Sequence, residues 1–360
     1  MEPLKLSDEI VRFLVSSPCL FSGSYETADF SIEQAWQGMY ERGEAAAFMT
    51  QQHPYSRSYF IVSARLSQPP KEAGRLQPLA TFAPLGEHVC SCLSVLYGKR
   101  FDCHGFLQTI GLFCVPELGP VGPVRLSGIG PTNHQPRPDL GIPLSFVHAS
   151  RMAPLFLLQH ADAKFQQRFA AAARYYRRSL ELLDRDPDLA FIDLVTCGEI
   201  LASHFTFDDD VLYDEETRDL LARIEQELHD GPKAARYLKG RLRQVKRRYV
   251  ATVVKLLNDT FYENTEAKSR HYAIEKEGIE RRIKSTYDLR SLFIHTGQDV
   301  RDVVLPRLDD NEIQLAWVAD KEAMKVVSAG LTFTGLERVM RFCLLRFVHM
   351  NGVSIDSRLD

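Results

Sequence analysis

The 360-residue chain has no long hydrophobic run. Its apolar stretches are short, as at Ala153 to Leu158, and none approaches the roughly 20 residues of a membrane-spanning helix. The first nine residues, Met-Glu-Pro-Leu-Lys-Leu-Ser-Asp-Glu, carry acids where a secretory signal has bases and then an apolar core. The expectation is therefore a cytoplasmic protein that makes no membrane contact. Charge of one sign is also lacking: 44 Lys and Arg against 47 Asp and Glu leave a net charge of −3. That excludes a general basic coat for nucleic acid but leaves room for a local basic patch. Internal repeats and low-complexity tails are absent. The seven cysteines are odd in number and irregular in spacing, which reads as free thiols. Cys90-x-Cys92 and Cys103-His104 lack the two- to four-residue gap of structural zinc sites, so buried structural thiols are expected and no metal. No cofactor is expected either.

Proline and glycine are scarce in only one part of the chain. Residues 1–150 hold 14 of the 18 Pro and 13 of the 21 Gly, with 24 of the 91 charged residues. From Val115 to Pro143, 12 of 29 residues are Pro or Gly, which no helix can cross. The sequence thus predicts an α+β protein. A small mixed α/β domain occupies residues 1–148. An antiparallel α-helical bundle occupies residues 149–360. In the first part, Ser58–Leu66 has strand composition, and Glu87–Tyr97 reads as a helix stopped by Gly98. Phe101–Val115 supplies one or two strands.

Apolar stripes at helical spacing define the second part. They are Phe165, Phe169, Ala172, Tyr176 and Leu180, ended by Asp186-Pro187; then Ile192, Val195, Glu199 and Ala202. A longer stripe runs Leu238, Leu242, Val245, Tyr249, Val253 and Leu256. Ile279, Ile283, Tyr287 and Ile294 form another, and Leu336, Val339 or Met340, Cys343 and Phe347 the last.

Two charge runs interrupt this pattern. Lys233 to Arg248 has eight basic residues and no acid, while Asp208 to Asp219 has seven acids in twelve residues. Solvated helix faces explain both. A phosphate-tracking surface, with Lys239, Arg243, Lys246 and Arg247 as RNA contacts, is the functional reading.

The helix Ile279 to Gly297 breaks its own pattern. At 100° per residue, Arg290 falls at the edge of the apolar sector, where a bundle would place Leu. Tyr287, Ser291, Lys284, His295 and Asp288 fall on an adjoining face, and Gly297 offers a stop. A guanidinium there requires a partner. On a purely structural reading Glu199 supplies it and His295 caps the helix end. On a functional reading Arg290 and His295 are aimed at a phosphate.

Arg290-Ser-Leu-Phe-Ile-His295, within Lys284-x-x-Tyr287-x-x-Arg290-Ser291-x-x-x-His295-x-Gly297, resembles the signature helix of HEPN proteins, closest to the Apea-like group. The stretch from Arg168 to Pro187 and the helix carrying Glu199 are also similar to that group. The resemblance covers roughly residues 150–350. It implies a bundle that dimerises and a metal-independent endoribonuclease with toxin or antiphage roles. In that chemistry Arg290 and His295 are catalytic and Ser291, Tyr287, Lys284 and Glu199 support them. Active members often carry Asn, Asp or His after the motif Arg, where this chain has Ser291. The alternative is a catalytically silent module that dimerises and binds RNA or a nucleotide. Expected partners are RNA, a second copy of the chain, and a regulatory protein or ligand at the N-terminal domain.

Overall fold

The computed structural model describes residues 8–35, 57–67, 83–109, 112–115, 129–158, 161–242, 244–297, 301–305, 311–314 and 320–360. The protein is α+β. It divides into two compact units, one of Met1–Asp193 with Leu344–Asp360 and one of Leu194–Cys343.

The first unit is built on an antiparallel sheet. Its strands are β1 (Asp8–Ser17), β2 (Tyr25–Glu26), β3 (Phe30–Gln34), β4 (Ser58–Ser67), β5 (Asp102–Thr109) and β6 (Leu112–Phe113). They lie in the order β2-β3-β4-β1-β5-β6. The expected strand at 58–66 is β4, and Phe101–Val115 supplies the β5–β6 hairpin. Register follows side-chain alternation: Val11 pairs with Ala64, Phe13 with Val62 and Val15 with Phe60, and all six are buried. Helix α1 (Ala83–Tyr97) packs against β5 and ends at Gly98, whose φ of 64° fits a left-handed C-terminal cap. A Cβ at Gly86 would stand 2.6 Å from the Phe13 ring, so only glycine allows this close helix–sheet contact.

Helix α2 (Ala163–Leu182) carries the expected stripe, with Phe165, Phe169, Ala172, Tyr176 and Leu180 buried. It starts at Asp162, whose carboxylate accepts from the Lys164 and Phe165 amides. α2 packs on α1, and Arg177 on α2 pairs with Glu87 on α1. The compact units therefore do not part at 148/149. The Pro/Gly-rich stretch marks a change in local structure, while the core continues into the first long helix beyond it.

The second unit is helical among its described residues. From Leu194, within α3 (Pro187–Ala202), it continues through α4 (Glu215–Glu227), α5 (Gly231–Arg241), α6 (Val245–Leu256), α7 (Ile279–Thr296) and α8 (Lys321–Ala329) to Cys343 within α9 (Phe333–Met350). α4 packs on α5, and α7 on both α6 and α8. The single long stripe expected from Leu238 to Leu256 is instead two helices. Gln244 adopts φ 45°, a left-handed break between them. Leu238, Leu242 and Val245 are 37–46% exposed, whereas Tyr249, Val253 and Leu256 are buried. The apolar periodicity is real, but Arg241, Lys246, Arg247 and Arg248 crowd basic charge around it that favours contact with water, which leaves the N-terminal half no face to bury.

Helix α9 buries Leu336, Val339, Met340, Cys343 and Phe347, as the stripe predicts. It also buries Arg338 completely. Arg338 meets the equally buried Glu312 at 3.0 Å and donates to the Phe261 and Asn264 carbonyls. Glu312 also accepts from Thr265 Oγ1, Glu266 N and Ile274 N at 2.7–2.8 Å. A Cβ at Gly335 would stand 2.1 Å from the Glu312 carbonyl oxygen. Gly335 thus lets the Glu312 segment lie directly on α9. Both terminal nitrogens of Arg338 and both carboxylate oxygens of Glu312 are hydrogen-bonded, while Arg338 Nε has no partner among the described residues; a buried pair is tolerated when bonds of this kind accompany it.

Candidate functional site

Helix α7 runs from Ile279 to Thr296 and stops at Gly297, whose φ is 66° and whose amide donates to the Phe293 carbonyl at 2.9 Å. Ile283 and Leu289 are buried, and Tyr287 nearly so. Arg290 and its expected partner Glu199 come together. The nearest approach, Arg290 Nη2 to Glu199 Oε2, is 3.8 Å, within ion-pair range and beyond hydrogen-bond range. The other carboxylate oxygen, Oε1, accepts from the Tyr287 hydroxyl at 2.7 Å. Arg290 also stands 5.7 Å from the Tyr287 ring centroid. Its Nε is buried without a hydrogen-bond partner, while 23% of the side chain remains exposed. Burial, then the hydrogen bond to Glu199 and its negative charge, push the Tyr287 hydroxyl up to about 12. It therefore remains a proton donor at any ordinary pH.

Behind this group lies Tyr249 of α6, its ring 5.3 Å from that of Tyr287. It is fully buried and its hydroxyl has no hydrogen-bond partner among the described residues. Gly198, next to Glu199 on α3, makes room for it: a Cβ there would stand 2.4 Å from Tyr249 Cε2. Sequence reasoning missed both residues. A glycine inside an otherwise apolar helix, directly before the one carboxylate of its stripe, was the available signal.

The remaining expected residues separate. Ser291 Oγ donates back to the Tyr287 carbonyl at 3.2 Å, within its own helix. His295 is exposed in the last turn and makes no side-chain hydrogen bond with a described residue. Lys284 is exposed, without an ion-pair partner among the described residues, and lines two hollows. One, of about 720 Å³, brings Lys246, Arg247 and Lys255 to Lys284, with Glu280 the sole acid. Phe207, Val250 and Val254 form its apolar wall. The other, of about 710 Å³, adds Lys276 and Arg281 against Asp259 and Glu280.

Of the expected RNA contacts, Arg243 lies outside the described residues. Lys239 pairs with Asp209 at 2.5 Å, Arg247 with Asp214 at 2.7 Å and Lys246 with Asp288 at 2.5 Å. The acidic and basic runs therefore neutralise each other in part. Each of these pairs keeps at least a third of both side chains exposed, so each contributes about 0–1 kcal/mol and can exchange partners.

Among the described residues no group of His, Cys, Asp and Glu could hold a metal ion. No described helix is long and apolar enough to cross a membrane. No family model, no curated protein and no solved structure matches the chain.

Proposed function

We propose that the chain is a metal-independent endoribonuclease of the HEPN kind, in which α7 supplies Arg290 and His295 to a site completed by a second copy. The observation that carries this reading is Arg290, a partly buried guanidinium that has an ion-pair neighbour but no hydrogen bond to a described residue. Its terminal nitrogens, on a side chain 23% exposed, remain available to an anion, whereas Nε is buried. A guanidinium serving only as structural glue is ordinarily hydrogen-bonded through its terminal nitrogens, as both are in Arg338 on α9.

Helix geometry supports a second copy. Arg290 and His295 are five residues apart, about 140° around the axis and about 7.5 Å along it. They diverge, so a phosphate held by one Arg290 is better met by His295 of another copy. A neutral His295 would take the proton of a ribose 2′-hydroxyl. Arg290 would stabilise the charge that grows on the phosphoryl oxygens, and the leaving 5′-oxygen would take a proton from a second, protonated His295. The product carries a 2′,3′-cyclic phosphate. Glu199 and Tyr287 act as positioning residues for Arg290. The cationic hollow at Lys246, Arg247, Lys255 and Lys284 adds sequence-independent affinity for the RNA backbone. Lys284 and His295 lie within about 20° of each other around α7 and about 16 Å apart along it, so one strand can follow that face.

A second reading rests on the same ion pair. If Glu199 serves only to satisfy Arg290, the helix is a silent module that binds RNA without cleaving it, and Ser291, bonded into its own helix, has no role. Incubation of the chain with RNA in chelator, beside Arg290→Ala and His295→Ala, separates the two. Cleavage lost in both variants supports the nuclease; binding without cleavage by the unaltered chain supports the silent module.

A further inference from the structure

The first unit contains a hollow of about 730 Å³ between α1, β5 and α2. Phe106, Leu158, Ala170 and Ala171 give it an apolar wall, which Glu87, His88, Gln167 and Arg174 share, and its size suits a small-molecule ligand. Cys103 of β5 stands in the wall and is partly exposed, unlike Cys19, Cys90, Cys92, Cys197 and Cys343, which are buried. The fold makes room for this thiol. A Cβ at Gly86 would stand 2.8 Å from Cys103 Sγ, so glycine on α1 is what lets the sulfur lie against that helix. Gly105 has φ 86°, a conformation that glycine adopts without strain. The Cys90 hydrogen bond and, after it, the Gly105 amide hold the Cys103 thiol below its ordinary range despite its burial. Burial pushes the Cys90 thiol well up.

We propose that this hollow is a binding site for an apolar α,β-unsaturated carbonyl compound, which Cys103 captures by conjugate addition. The apolar walls take the hydrocarbon tail, and the donor-supported sulfur faces a soft electrophilic carbon. A bond forms between Sγ and the β-carbon, and the π pair of the C=C bond moves towards the α-carbon. That carbon takes up the proton the thiol gave to water. Nothing is oxidised or reduced, and no group leaves.

The test treats the reduced full-length chain with trans-2-nonenal and, separately, with iodoacetamide, and follows Cys103 and exposed Cys114 by peptide mass spectrometry. Cys114 serves as the comparison thiol within the same molecule. Nonenal is expected to modify Cys103 at least about tenfold faster than Cys114, with a smaller preference for iodoacetamide. Ala171→Phe, which fills the hollow, is expected to slow nonenal at Cys103 about tenfold and to change iodoacetamide less than about twofold. Equal nonenal rates at Cys103 and Cys114 would overturn the proposal, and this comparison needs no variant to fold. An unchanged nonenal rate in Ala171→Phe would overturn it as well.

Discussion

The hydroxyl of Tyr287 donates to Glu199 at 2.7 Å, and through this bond one residue of α7 fixes the carboxylate that faces Arg290 one turn further on. One oxygen of Glu199 is committed to a neutral donor. The other is left 3.8 Å from the guanidinium, close enough to orient it and too far to consume its donors. Tyr287→Phe releases that oxygen. Arg290 is then expected to close onto Glu199, and RNA affinity to fall a few-fold while the fold is kept. Glu199→Gln removes the competing charge and is expected to raise RNA affinity by up to about fivefold, the worth of one half-exposed ion pair. Filter binding at fixed salt checks both. Unchanged affinity in both variants would separate Arg290 from RNA.

The cationic hollow has its own signature. Lys284→Ala and Lys255→Ala are each expected to weaken RNA binding uniformly across sequences. Each should lower the slope of log affinity against log salt by about 1. Titrations at several salt concentrations measure it. Arg247→Ala, whose side chain is already shared with Asp214, is expected to change the slope less.

Gly198→Ala is expected to destabilise the protein by about 1–3 kcal/mol, because its Cβ collides with the buried ring of Tyr249. An alanine normally improves a helix interior, so the sign of the change in chemical denaturation tests the packing argument. The displaced Tyr249 ring would press on Tyr287, and RNA affinity is expected to fall with it.

Arg338→Met leaves Glu312 buried with its charge uncompensated and is expected to cost about 3–5 kcal/mol. Urea denaturation measures this. The proposed RNA site shares no residue with that pair, so on this proposal the variant that remains folded is expected to keep its RNA affinity.

His88 gives unit 1 a pH dependence. Burial holds it below the ordinary 6.5, its Nε2 bonded to the Leu155 carbonyl at 2.8 Å. A histidine with a lowered native value gives stability that is present above 6.5 and lost as pH falls through the native value. Thermal unfolding from pH 8 to pH 5 is expected to show this loss, and His88→Gln to flatten it.

Much of the local structure was legible in the sequence. Helix α7 and its stop at Gly297, strand β4, α1 with its Gly98 cap and the α2 stripe follow from periodicity and terminal chemistry, and these are local. The pairing of Arg290 with Glu199 was legible because each is the single charge on an apolar stripe. Other features depend on approach between distant segments. Gly198 and Gly335 look like helix defects until Tyr249 and the Glu312 carbonyl are seen against them. Arg338 and Glu312 lie 26 residues apart and neither stands out by spacing. The break at Gln244 was hidden because the apolar period continues through it, while the charges that forbid burial are set by solvent. The two charge runs could be read separately, but that they pair with each other required the fold.

The most direct test of the central claim is cleavage of a single-stranded RNA in chelator by the unaltered chain, Arg290→Ala and His295→Ala, with product ends identified. The account predicts products ending in 2′,3′-cyclic phosphate from the unaltered chain. It predicts about a 10²- to 10³-fold loss in Arg290→Ala and a loss of at least about 10²-fold in His295→Ala. Equal cleavage by all three proteins, or cleavage abolished by the chelator, would contradict it.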